Sequence, residues 1–178
     1  MKAKNRIKEY LFVDGYNIIN SWSNLKEKQQ ISLEEARDEL LEILSDYQSY
    51  SDIVIIVVFD AHQVKGNTGN EDMYKGVRVV YTRENETADN FIERTLNEIG
   101  RIKRVRVATS DWMEQQIVLS RGGTRISARE LEVEIYNARN MIKRKRKSAN
   151  RKNDLQIGRL DESILIKLKE WGKTGDKS

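Results

Sequence analysis

The chain contains no cysteine, no proline and one histidine, His62, among 178 residues. Without cysteine there are no disulfides, no thiolate catalysis, no zinc ribbons and no iron–sulfur clusters. A single histidine argues against the common zinc sites and any Ser-His-Asp arrangement. Without proline, helix and strand boundaries must be read from caps and glycines. No apolar run approaches the ~20 residues of a membrane span, and the opening MKAKNRIKEY lacks the apolar stretch of a signal peptide. These absences point to a cytoplasmic protein with no membrane partner.

Charge is what the chain has in quantity. Lys and Arg number 32 against 28 Asp and Glu, a formal net charge of +4. Eight of the basic residues lie between Arg139 and Lys152 (RNMIKRKRKSANRK), where no acid occurs. The remaining 24 face 28 acids, so a body of net charge −4 carries one basic arm. Such a block fits a polyanion, nucleic acid before membrane; it also suits a solvated helix end, where cations complement the dipole.

Apolar patterning alternates between strand and helix. Tyr10–Val13 reads as a buried strand meeting a turn at Asp14-Gly15, and Ile53–Phe59 (IVIIVVF) as a β-branched strand covered on both faces. Val77–Tyr81 reads as a third strand, nearer an edge because Arg78 interrupts it, and Val105–Ala108 as a fourth. Ser32 with Glu35 and Ser127 with Glu130 match capping boxes, and Thr87 caps TADNFIERTLNEI. A further helix is expected from about Trp112 to Arg121-Gly122-Gly123, and a last one over Asp161–Trp171. Gln63–Gly76 reads as a loop and Asn150–Gly158 as a linker. This order predicts an α/β fold with a mainly parallel central sheet of four or more strands and C-terminal helices. One domain over 10–172 is expected, containing the basic segment 139–152, between a flexible lead (1–9) and a frayed tail (173–178).

Acids recur where the strands end. Asp14 follows the first strand, Asp60 the second and Asp111 the fourth, while Asp89 sits in the first helical turn after the third. In a parallel sheet these positions share the carboxyl edge, where open α/β sheets build their sites. Converging carboxylates raise one another's pKa unless a cation neutralises them, and oxygen donors without Cys suit a hard divalent ion, Mg2+ or Mn2+. Such an ion polarises a phosphate and acidifies a water. Each acid also has an ordinary reading: Asp favours turns and helix starts. Taken singly, Asp89 and Asp111 fit that reading better; the conjunction of four strand ends tips the balance. Glu86, three residues before Asp89, is a weaker candidate. GxxxxGK[ST] and GxGxxG after the first strand are absent, which excludes a P-loop and a dinucleotide fingerprint, hence a nucleotide cofactor. A haloacid-dehalogenase-type phosphatase requires Asp where Tyr16 stands, and the basic arm does not suit a receiver domain.

The string Val13-Asp14-Gly15-Tyr16-Asn17 resembles the signature of the NYN domain in the PIN-like nuclease superfamily. With Phe59-Asp60-Ala61-His62, Glu84–Asp89 and Thr109-Ser110-Asp111 in the same order, the chain resembles the bacterial YacP-like subgroup from about Tyr10 to Trp171. That subgroup includes ribosome-associated mRNA endonucleases. The resemblance implies a three-layer PIN-like, Rossmannoid sandwich and a metal-dependent endoribonuclease leaving 5′-phosphate and 3′-hydroxyl ends. It implies that Asp14, Asp89 and Asp111 bind metal and that Asp60 is a further ligand or supporting acid. Asn17 would orient Asp14 or a water, its alternative being a turn-stabilising asparagine. Candidates for holding RNA are Lys65, Arg83, Arg121, Arg125 and the run Lys143, Arg144, Lys145, Arg146, Lys147. Tyr16 is a candidate for stacking on unpaired bases, and Trp112 less so. The expected partners are mRNA and the ribosome through its rRNA. The alternative is a non-catalytic RNA- or ribosome-binding factor on the same scaffold.

Overall fold

A computed structural model describes residues 9–60, 69–99, 104–110, 116, 119 and 123–173, with side chains up to 150. The strand β1 (Glu9–Asp14) is flanked on both sides by parallel partners, β2 (Ile53–Phe59) and β5 (Arg104–Ala108). Outside these lie β4 (Val77–Tyr81) and β6 (Thr124–Ile126), also parallel, and then β3 (Glu71–Tyr74), antiparallel on β4. Among the described residues the order is β3-β4-β2-β1-β5-β6, six strands where the sequence reading counts four or more. Leu11, Phe12, Val13 and Ile55 to Phe59 are almost fully buried, as expected of central strands with both faces covered.

Three helices separate β1 from β2: α1 (Gly15–Ser21), α2 (Ser23–Ile31) and α3 (Leu33–Tyr50). Only α3 is evident from its cap, and Ser32 Oγ does accept from the Glu35 N–H at 3.2 Å. The two short helices are marked more faintly, by Ile18, Trp22 and Leu25 at i, i+4, i+7, all buried. The helix α4 (Ala88–Ile99) starts where Thr87 Oγ1 accepts from the Asn90 N–H. Ile92 and Leu96 face the sheet, within a cluster that includes Phe12, Val58, Val80 and Val107.

Two expectations need correction. Part of the supposed loop Gln63–Gly76 is strand β3, turning into β4 through Lys75 (φ 45°) and Gly76 (φ 92°). Its polar residues EDMY gave no apolar signal because it lies at the sheet edge, and it leaves β4 one place inside. The supposed linker Asn150–Gly158 and the helix after it are both parts of α5 (Ala128–Lys173). Nothing there stops a helix: no proline occurs, and one internal Gly costs about 1 kcal/mol. The Ser127–Glu130 box opens α5 in both directions, with Glu130 N–H on Ser127 Oγ and Ser127 N–H on Glu130 Oε2. The chain divides into two compact units between Ile135 and Tyr136. The first holds the sheet, and the second the greater part of α5. Among the described residues, no helix is long and apolar enough to cross a membrane. Apart from residues 116 and 119, which are helical, the expected helix following Trp112 lies outside the described residues, as do the lead before Glu9 and the tail beyond Lys173.

Candidate active site

Because β1, β2, β4, β5 and β6 all run the same way, their carboxyl ends share one edge. Asp14 closes β1 and caps α1, accepting the Asn17 N–H on Oδ1 at 3.1 Å. Gly15 is required at the next position: a Cβ there would stand 2.3 Å from Cε1 of Phe59. The backbone thus passes directly over the Phe59 ring, which brings the ends of β1 and β2 together. Asp60, half-buried, follows that ring in sequence.

Parallel pairing continues past β4, since Thr82 N–H donates to the Phe59 carbonyl at 3.0 Å. The chain then turns through Asn85 (φ 68°) into α4, whose first turn carries half-buried Asp89. Glu86 in that turn is committed elsewhere. Burial opposes its charge, but the Arg94 guanidinium at 2.7 Å and the Arg83 N–H hold its carboxyl below the usual range. It stabilises the turn.

On the other side of β1, Asn17 reaches across to β5. Its Oδ1 accepts from the Ser110 N–H at 2.7 Å, and Ser110 precedes Asp111. The Ser110 hydroxyl in turn accepts from Ala128 N–H at 3.4 Å, while Trp22 Nε1 donates to the Ala128 carbonyl at 2.8 Å. The segment leaving β5 is therefore tied to α1 and to the start of α5. The asparagine side chain acts as a cross-strand tie, a role beyond its own turn.

Tyr16 does not serve as a base-stacking platform. It is 5% exposed, its ring meets Phe59 at a centroid distance of 5.1 Å, and its hydroxyl accepts from Arg37 at 3.1 Å. Burial raises its pKa, the Arg37 bond and charge oppose this, and Tyr81 and Asp60 add to the rise. The basis of the correction is packing: the turn at Gly15 directs the next side chain inward. Arg37 on α3 was not anticipated, because no local pattern distinguishes one basic residue in a helix from another.

Of the other expected RNA contacts, Arg83 and Arg125 are exposed, the latter on β6. Lys143, Arg144, Lys145, Arg146 and Lys147 are exposed along α5. Lys65, Asp111, Trp112 and Arg121 lie outside the described residues. Among the described residues, no three His, Cys, Asp or Glu side chains group to hold a metal ion. The three described aspartates are one short of the expected set; in donor chemistry, carboxylate oxygens alone, they suit a hard divalent cation.

Residues 11–173 match the YacP-like NYN domain family. The chain belongs to that family. YacP of Bacillus subtilis (strain 168) is 41% identical over 170 residues, covering 94% of this chain and 98% of that protein. The crystal structure of Rae1 (YacP) from Bacillus subtilis aligns with a TM-score of 0.69 at 39% identity, covering 94% of this chain and 95% of that one. A tryptophan-to-leucine variant of the same protein aligns at 0.65 and 42% identity, covering 76% and 79%. The NYN family has a nuclease-like fold within a nuclease superfamily, which supports a nuclease-family role for this chain.

Proposed function

We propose that this protein is a divalent-metal-dependent endoribonuclease that hydrolyses phosphodiester bonds in mRNA in association with the ribosome. One observation carries the reading furthest: the Asn17–Ser110 hydrogen bond joins positions 93 residues apart and ties the residue before Asp111 to the helix that Asp14 caps. An acidic edge assembled from distant strand ends gives a pure RNA binder nothing, since it repels phosphate. It suits a protein that needs a cation between itself and its substrate.

Asp14, Asp60, Asp89 and Asp111 would hold Mg2+ or Mn2+, which would polarise the scissile phosphate and acidify a water. The chain's own groups do the rest. Asn17 holds the strand ends in register, so that in-line attack finds fixed carboxylates. Lys65, Arg83, Arg121, Arg125 and Lys143 to Lys147 would hold the RNA backbone by charge, and rRNA presents a dense phosphate surface to the same cations. The products would be a 5′-phosphate and a 3′-hydroxyl.

The test is Asp14→Asn and Asp89→Asn, assayed for cleavage of mRNA with Mg2+ or Mn2+ in a translating extract. Each should lose more than the ~10–100-fold that removal of an outer-shell partner costs. Variants that cut as fast as the parent would leave the non-catalytic binding factor as the better reading.

A further inference from the structure

Arg37 is one basic residue among 32, yet its guanidinium has an unusual mooring. It donates to the hydroxyl of Tyr16, a residue two positions after Asp14 and almost wholly buried. The Tyr16 ring packs on Phe59, the residue before Asp60, and Phe59 stacks on Tyr81 at 5.8 Å, the last residue of β4. Three rings thus floor the carboxyl ends of β1, β2 and β4. Arg37 comes to the same edge from α3.

Four other cations among the described residues of this unit are paired with carboxylates. Lys28 pairs with Glu39, Lys75 with Glu42, Arg94 with Glu86, and Arg106 with Glu9 and Glu134. Arg37 forms no ion pair with a carboxylate among the described residues, although Glu34 stands three positions before it on α3 and Asp38 follows it. A neutral phenol fixes the direction of the planar fork without cancelling its charge. Of five N–H donors, one is taken by Tyr16. A guanidinium held by a phenol instead of a paired carboxylate has the geometry and sign for bidentate contact with phosphate oxygens, which a flexible ammonium matches less well.

We propose that Arg37 holds a backbone phosphate of the RNA strand at the carboxylate edge, with Tyr16 as its positioning residue. The inference rests on the nuclease reading above and adds a phosphate-holding group within the edge itself, separate from the basic run of α5.

The experiment compares the parent with Arg37→Ala, Arg37→Lys and Tyr16→Phe in steady-state cleavage of a short single-stranded RNA. It adds anisotropy of the same labelled RNA in EDTA, where nothing is cut, and a melting curve for each protein. The proposal expects Arg37→Ala to raise KM and weaken binding roughly 10–100-fold, the range for hydrogen bonds to charged groups. Arg37→Lys should recover part of this loss. Tyr16→Phe, which keeps the ring and removes the acceptor, should raise KM a few-fold and leave kcat nearly unchanged. If the parent cuts and binds RNA while Arg37→Ala and Arg37→Lys do so equally well, or merely melt lower, the inference is overturned and the nuclease reading stands. If the parent neither binds this RNA nor cuts mRNA in the translating extract, the nuclease reading fails and takes the inference with it.

Discussion

The side-chain carbonyl of Asn17 accepts the backbone N–H of Ser110 at 2.7 Å, linking α1 to the end of β5. The resemblance leaves Asn17 between orienting Asp14 or a water and, on local turn chemistry, stabilising a turn. The bond adds another, as a strut between the helix that Asp14 caps and the end of β5.

Removing the strut has a separable outcome. Asn17→Ala should cost about 0.5–1.5 kcal/mol of stability, the value of one hydrogen bond at a solvent-accessible donor. RNA cleavage should fall ~10–100-fold, as for other supporting partners of a site. Asn17→Asp, which keeps an acceptor, should retain most of the stability. Denaturant melts alongside cleavage rates check both; full activity in Asn17→Ala would remove the strut from the account.

The glycine of the VDGYN string is tested through its neighbour. Gly15→Ala should destabilise by about 1–3 kcal/mol, because a methyl group 2.3 Å from the Phe59 ring forces a shift. In a Phe59→Leu background the same change should cost less, with a coupling of roughly 0.5–3 kcal/mol. Additive costs in urea melts would show that the two residues do not collide.

A pH-dependent contribution comes from the opposite end of the sheet. Arg106 donates to Glu134 at 2.8 and 3.0 Å and also pairs with Glu9, while the Tyr47 hydroxyl donates to Glu134. The Arg106 bond lowers the Glu134 pKa, burial opposes this, and the Tyr47 bond adds to the lowering. A lowered folded pKa contributes stability that is present above the ordinary Glu value of ~4.3 and is lost as pH falls through the folded value. Glu134→Gln should therefore destabilise by about 1–2 kcal/mol at pH 7. This is less than the ~3–5 of a fully buried pair because the carboxylate side chain is 36% exposed. The difference from the parent should close toward pH 3; an offset that stays constant from pH 7 to pH 3 would contradict the assignment.

The basic run of α5 makes a prediction about salt. Lys143→Glu with Lys147→Glu should weaken RNA or ribosome association. The salt slope should flatten by about 0.7 for each phosphate of a single strand that these lysines no longer neutralise. Unchanged binding across 50–200 mM salt would remove this helix from RNA recognition.

Legibility in the sequence followed locality. Ile53–Phe59 announced a central strand because seven apolar residues, mostly β-branched, can only be covered on both faces. Ser32, Thr87 and Ser127 announced helix starts because a cap is a contact within four residues. The parallel order then made the shared edge of Asp14, Asp60 and Asp89 foreseeable. What stayed hidden was set by partners far away in the chain. The strand Glu71–Tyr74 exists only as the margin of β4, Tyr16 is buried by Phe59, and Arg37 matters only through the hydroxyl it meets.

The central claim is that carboxylates from separate strand ends hold one divalent cation. Anomalous diffraction from crystals soaked in Mn2+ tests it most directly. The account predicts a peak between Asp14, Asp89 and Asp111, absent in Asp89→Asn. No peak at saturating Mn2+, with those carboxylates instead bonded to lysine or arginine side chains, would contradict it.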